Sequence, residues 1–178
     1  SRLVDGFKDW FAAEIYKAFL VASCRLIRSH EGEITAFDGD RVMAVFLGDG
    51  RDSDAARCAL RINHVVSKVI NPAIKAQYPN TSYALRHAVG IDTSPLFVAK
   101  TGIRKSNDLV WIGRAANLAA HLSAVREPGY STFISADVFG KLSDKAKIGG
   151  NPRRLMWEKS TTSIPDRTIY RSGWTWAP

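Results

Sequence analysis

Five carboxylates, Asp38, Asp40, Asp49, Asp52 and Asp54, crowd a short stretch of a chain that is otherwise basic, with 25 Lys and Arg against 17 Asp and Glu and a net charge of +8. Two of them flank a glycine in the run Glu33-Ile34-Thr35-Ala36-Phe37-Asp38-Gly39-Asp40-Arg41-Val42-Met43-Ala44-Val45-Phe46. A carboxylate at the tip of a strand-turn-strand unit is held rigidly and faces solvent. That suits an oxygen ligand for Mg²⁺ or Mn²⁺ bound together with the phosphates of a nucleotide. Asp-Gly pairs also populate hairpin turns for backbone reasons alone, and on this stretch by itself both readings stand.

The elements that would position these acids follow from periodicity. Apolar residues recur at three- and four-residue steps over 5–29 (Phe7, Trp10, Phe11, Ile15, Phe19, Leu26, Ile27), which predicts a long core-facing helix. The 33–46 segment reads as a β-hairpin around Asp38-Gly39-Asp40. Asp52 or Ser53 is placed to cap a second helix running to about residue 76. Strands are expected at 83–92, 96–101 and 109–112, the last two joined by a polar loop over 102–108. Gly113 then opens a helix over 114–125, and short strands are expected at 131–134, 154–157 and 168–170. Helices mixed with hairpins in one unit indicate α+β or α/β architecture.

At 178 residues the chain has the length of one domain, here taken as 1–178. A content of 46% apolar and 24% charged residues excludes disorder, collagen and coiled-coil arrays. No apolar run approaches the ~18 residues of a spanning helix and no signal-peptide pattern opens the chain, so a cytoplasmic location without a membrane partner is expected. Cys24 and Cys58 fall in helical stretches and read as small core residues in a reducing compartment. Residues 141–178 carry 8 basic and 3 acidic side chains, most of the excess charge. A basic surface favours nucleic acid and nucleotide alike. No zinc spacing, helix-turn-helix signature or RNA-binding pattern is present, so nucleic acid is not the expected partner.

A second stretch decides between the readings of the first. His87-Ala88-Val89-Gly90-Ile91-Asp92-Thr93, followed by Val110-Trp111-Ile112-Gly113-Arg114-Ala115-Ala116-Asn117-Leu118-Ala119-Ala120-His121-Leu122, closely resembles the catalytic domain of class III nucleotidyl cyclases. That family pairs a Gly-Asp hairpin with a downstream Gly-Ile strand and an Ile-Gly-x-x-x-Asn-x-Ala-x-x-Leu helix, in this order. The resemblance spans roughly residues 30 to 125. It implies an α+β fold with a ferredoxin-like βαββαβ core, a mixed or antiparallel sheet and flanking helices.

The resemblance also implies roles. Asp40 is similar to the second of two metal-binding aspartates, which together hold two divalent ions, Mn²⁺ or Mg²⁺. The first lies on a strand ahead of a Ser-Thr-Arg-Leu-like segment; Ser1-Arg2-Leu3 resembles the end of that segment, so the chain is expected to start after that ligand. Asn117 matches the Asn that orients the ribose from the partner subunit. The family's Arg four residues further on is replaced by His121, with Arg114 as a possible substitute, and these three are the candidate catalytic residues. Both also have plain readings, His121 as a structural histidine and Arg114 as an exposed residue near a helix start. An imidazole, unlike a guanidinium, does not hold its charge at every working pH. Lys159 resembles in position a lysine that contacts the triphosphate, against the simpler reading of a solvated lysine.

The base-reading positions depart from the family's purine enzymes, which carry polar residues where this chain has Ala36 and Val110. Losing a hydrogen bond in a buried base site costs about 1–3 kcal/mol per unsatisfied group. The chain therefore resembles the pyrimidine cyclases of bacterial Pycsar antiphage systems, which implies a pyrimidine triphosphate substrate, UTP ahead of CTP, and a downstream effector that senses the cyclic nucleotide. A homodimer with composite active sites is implied as well. The alternatives are an adenylate cyclase with an atypical base pocket and a cyclase-homology module that binds nucleotide or dimerises without catalysis.

Overall fold

Phe133 and Ile134 are adjacent, point to opposite faces of one strand, and pack into two different cores. The computed structural model describes residues 9–103, 106–161, 164 and 167–177. In chain order the elements are α1 (Asp9–Ser29), β1 (Glu33–Asp38), β2 (Arg41–Val45), α2 (Arg51–Val65), α3 (Asn71–Gln77), β3 (Val89–Ile91), β4 (Phe97–Ile103), β5 (Ser106–Ile112), α4 (Arg114–Ser123), β6 (Thr132–Ser135), α5 (Ala136–Lys141), α6 (Asp144–Lys147), β7 (Ile148–Gly149), β8 (Arg154–Leu155), β9 (Glu158–Lys159) and β10 (Ile169–Ser172). The Ser1-Arg2-Leu3 segment and Phe7 lie outside the described residues.

Every residue of β6 is buried. It pairs parallel with β3 and antiparallel with β10, whose other edge carries β9, giving the order β3-β6-β10-β9. On one face Phe133 and Ile169 meet Leu118 and Leu122 of α4. On the other, Ile134 meets Ala56 and Leu60 of α2, with Val138, Ala146 and Trp157 closing the layer. This is the expected α+β arrangement, a mixed sheet with helices on both faces. A third core gathers Phe11, Ile15 and Ile27 of α1 with Cys58 and Ile62 of α2 and with Ile74 of α3. Burial pushes the Cys58 thiol up to about 12 and also raises that of the half-buried Cys24. Among the described residues no helix is long and apolar enough to cross a membrane.

The structure departs from the sequence reading in several places, each for a local reason. The strand expected over 83–92 is confined to Val89–Ile91. Upstream of it Asn71 takes the role of a ladder partner, its Oδ1 accepting from Leu85 N at 2.8 Å and its Nδ2 donating to Leu85 O at 3.1 Å. The polar loop over 102–108 is mostly strand, since β4 and β5 stay in register out to Ile103 opposite Ser106. The second helix begins at Arg51 behind Gly50, whose φ of 82° suits glycine, so Asp52 and Ser53 lie inside its first turn. That helix also widens into a π turn over Val66–Ile70, where Asn71 N donates to Val66 O. Pro72 follows and has no N–H to give the preceding turn. The tail at Trp174 and Trp176 docks on α2: Trp176 N donates to Leu60 O at 3.1 Å, and Asn63 Nδ2 donates to Gly173 O and Trp174 O.

His87, two residues before β3, is part-buried against the Phe19 ring, 5.9 Å away, with its Nε2 buried and lacking a hydrogen-bond partner among the described residues. Burial, helped by the charge of Arg126, lowers its pKa to about 4. The unfolded chain binds this proton near pH 6.5 and the folded one does not, so stability is full above pH 6.5 and falls as pH drops toward 4. The loss should reach at most about 3 kcal/mol. Urea unfolding between pH 7 and 4 should show it, and His87→Phe should flatten the slope; an equal slope in both proteins would assign the acid sensitivity elsewhere.

Candidate active site

The tip of the β1–β2 hairpin is a two-residue loop, because Asp38 pairs in register with Arg41. Gly39 takes the left-handed conformation, φ 58°, that the first position of such a loop needs. The acidic cluster is then sorted by its arginines. Arg41 donates to Asp38, Arg57 donates to Asp54, and Arg51 Nε lies 3.8 Å from the buried Asp52. Asp40 forms no ion pair among the described residues and is exposed at the tip. Its charge is felt by Tyr83, whose phenol is pushed up by burial first and then by Tyr16 and Asp40. No group of three or more His, Cys, Asp or Glu is gathered for a metal among the described residues. What Asp40 offers is one hard oxygen donor.

Asn117 and His121 lie on α4, whose Ala115, Leu118 and Leu122 are buried and whose residues 114, 117 and 121 are exposed. Steps of three and four bring Arg114, Asn117 and His121 onto one face. The helix start is fixed from a distance, Ala115 N donating to Ser94 Oγ at 3.1 Å. Gly113 precedes it where a Cβ would meet Leu96 Cδ2 at 2.8 Å and Pro95 O at 3.0 Å. Arg114 is engaged within its own subunit. Its Nη2 donates to Thr93 O at 2.8 Å and to Asp137 Oδ2 at 2.7 Å, and its Nε is 3.7 Å from Asp92 Oδ2. The bond to Asp137 and the charge of Asp92 raise the guanidinium pKa and, in return, that bond lowers the Asp137 carboxyl.

The remaining candidates are spread over three elements. Ala36 is exposed on β1 opposite Met43, Val110 is partly exposed on β5 opposite Ala99, and Lys159 is exposed on edge strand β9 opposite Tyr170. The hairpin packs on α1, whereas α4 packs on β3 and β6, so Asp40 and Asn117 are carried by separate parts of the chain. The β4–β5 hairpin exposes Phe97 (70%), Ile103 (77%), Leu109 and Ile112. Sequence reasoning gave no role to Asp92, Asp137 or Ser94. The one available signal was a charged residue ending the otherwise apolar 89–91 run; the partners of Arg114 lie 21 and 23 residues away and leave no local trace.

No family model matches the chain. It is 49% identical over 177 residues to a uridylate cyclase from Xanthomonas perforans, a match covering 99% of this chain and 75% of that protein. It is likewise 49% identical over 176 residues to a uridylate cyclase from Burkholderia cepacia, again covering 99% of this chain and 75% of the relative. Among solved structures the adenylyl cyclase CyaB from P. aeruginosa superposes with a TM-score of 0.79 at 21% identity, over 96% of this chain and 86% of that one, which is a likeness of fold.

Asn117 stands where it does because α4 lies directly on β3 at Gly90. A Cβ there would come within 2.2 Å of Ala119 O and 2.6 Å of Leu122 Cβ. Gly90→Ala must lift the helix off the sheet, and overpacking of this kind costs about 1–3 kcal/mol. Equilibrium urea unfolding should show that loss; an unchanged midpoint would contradict the contact.

Proposed function

This chain belongs to the uridylate cyclase family, and on that premise we propose that it converts UTP to 3′,5′-cyclic UMP and pyrophosphate. The 49% identity over nearly the whole chain carries the reading. The reaction is an intramolecular phosphoryl transfer: the ribose 3′-oxygen attacks the α-phosphorus, its proton leaves, and the bond to the bridging oxygen of pyrophosphate breaks. Asp40 fits as one oxygen ligand, because it stands exposed at the rigid hairpin tip and, unlike Asp38, Asp52 and Asp54, is not matched with an arginine; Asp49, also without an ion pair among the described residues, lies in the turn after β2 instead. Two divalent ions, Mn²⁺ or Mg²⁺, shared with the triphosphate supply charge neutralisation and a more acidic 3′-hydroxyl when bound.

The side chains of the chain do the rest in this reading. The Asn117 amide orients the ribose, and His121, one turn on, places an imidazole toward the reacting phosphate. Lys159 takes the triphosphate as a point charge. Ala36 and Val110 present no hydrogen-bonding group to a base, which disfavours a purine read at those positions.

Asp40 and Asn117 lie on separate parts of one subunit, so the site is proposed to be composite, with each half supplied by one copy of a homodimer. The exposed apolar β4–β5 hairpin supports this, since an apolar ribbon of this kind on a lone subunit marks an interaction surface. The cyclic nucleotide is proposed to act as a second messenger in antiphage defence, read by a downstream effector.

Incubating the full-length protein with each of the four NTPs and Mn²⁺, with products resolved by mass, should yield cyclic UMP predominantly. Mainly cyclic AMP would instead identify an adenylate cyclase with an unusual base pocket, and no product from any NTP would identify a non-catalytic module. The composite site has its own test. Equal amounts of Asp40→Ala and Asn117→Ala chains, each lowered about 100-fold but still measurable alone, should recover about a quarter of wild-type activity, from one intact site in each mixed dimer. No recovery would overturn the shared-site arrangement.

A further inference from the structure

Asp92 directly follows β3 with a side chain that is 0% exposed, and neither carboxylate oxygen has a hydrogen-bond partner among the described residues. The cation facing it is Arg114, at 3.7 Å. A buried carboxylate left in this state is poor for stability; an apolar residue of similar size would serve the core better. Its presence calls for a role that depends on the charge. Arg114 shows what that role is. From the first turn of α4 its guanidinium reaches back to Thr93 O in the β3–β4 connection and across to Asp137 on α5, while Asp92 lies beside its Nε. Three anchor points on two neighbouring segments hold one side chain.

The seat of α4 on β3 makes such an anchor necessary. The contact at Gly90 is helix backbone and the Leu122 Cβ against a bare glycine, which sets how closely the helix approaches the sheet. Leu118 and Leu122, buried against Phe133 and Ile169, set which face of α4 turns inward, and among the described residues no polar group at that contact refines the angle. Asn117 is one turn beyond Arg114 on the same exposed face, so even a small rotation would displace its amide, and a misplacement of about 1 Å is enough to cost catalysis heavily. Ser94 accepting from Ala115 N pins the backbone at the same end, and the Arg114 side chain adds ties to Thr93 and Asp137.

We propose that Arg114 is a positioning residue for Asn117, with Asp92 as its buried counter-charge, rather than a cation that meets the transition state. The assignment rests on the cyclase reading of Asn117. It predicts that Arg114 acts through Asn117. In the full-length protein with UTP and Mn²⁺, Arg114→Ala should lower kcat about 10-fold or more while KM changes less than about twofold. In an Asn117→Ala background the same change should lower kcat less than about threefold, because there is no amide left to misplace. Asp92→Asn should shift kcat in the same direction and by less. Wild-type kcat in Arg114→Ala, or losses that multiply fully in the double variant, would overturn the proposal. Should Arg114→Ala fail to fold, Asp92→Asn carries the identical cycle with Asn117→Ala. A wild-type protein that makes no cyclic UMP would fail the cyclase reading instead, which keeps the two failures distinct.

Discussion

The missing side chain at Gly90 is the constraint on which the rest of the molecule turns. Because β3 carries no Cβ there, the α4 backbone lies on the sheet, and Leu118 and Leu122 reach Phe133 and Ile169 across it. The neighbour of Gly90, Ile91, pairs with Ile134 on the other face, where α2 packs. One strand of three residues thus couples the helix carrying Asn117 to the helix that closes the opposite core. The Gly-Ile pair is a packing device: glycine for helix contact on one face, isoleucine for core on the other.

Electrostatics in this chain work by subtraction. The aspartates near the hairpin look in sequence like one acidic patch, yet Arg41, Arg51 and Arg57 stand beside Asp38, Asp52 and Asp54, and of the two left without an ion pair among the described residues, Asp40 and Asp49, only Asp40 is at the hairpin tip. A second charge group assembles at the far end of β3, where Asp92, Asp137 and Arg114 are spread over 46 positions of sequence and meet only after folding. The first group is local and the second is not.

That difference explains what could be read in advance. The hairpin tip, the Gly-Ile strand and the Asn117 helix were legible because short-range spacing fixes them: a two-residue loop, a period of two, and steps of three and four. The true length of β3 was not, because the side chain of Asn71 occupies the backbone of Leu85. The helices Ala136–Lys141 and Asp144–Lys147 are too short for periodicity to show, although Ser135 and Ser143 stand at their N-caps. The acceptors of Arg114 were invisible for a plainer reason: only the packing of α4 and α5 on the sheet brings them near.

The placement of the two thiols, Cys58 buried and Cys24 half-buried, bears on how such a protein meets oxidants. With the Cys58 pKa pushed up to about 12 and that of Cys24 also raised, very little of either sulfur is thiolate at neutral pH, and thiolate is the species that peroxide and disulfide reagents attack. The fold therefore offers peroxide little thiolate at the buried Cys58, and less at the part-buried Cys24 than a fully exposed cysteine would.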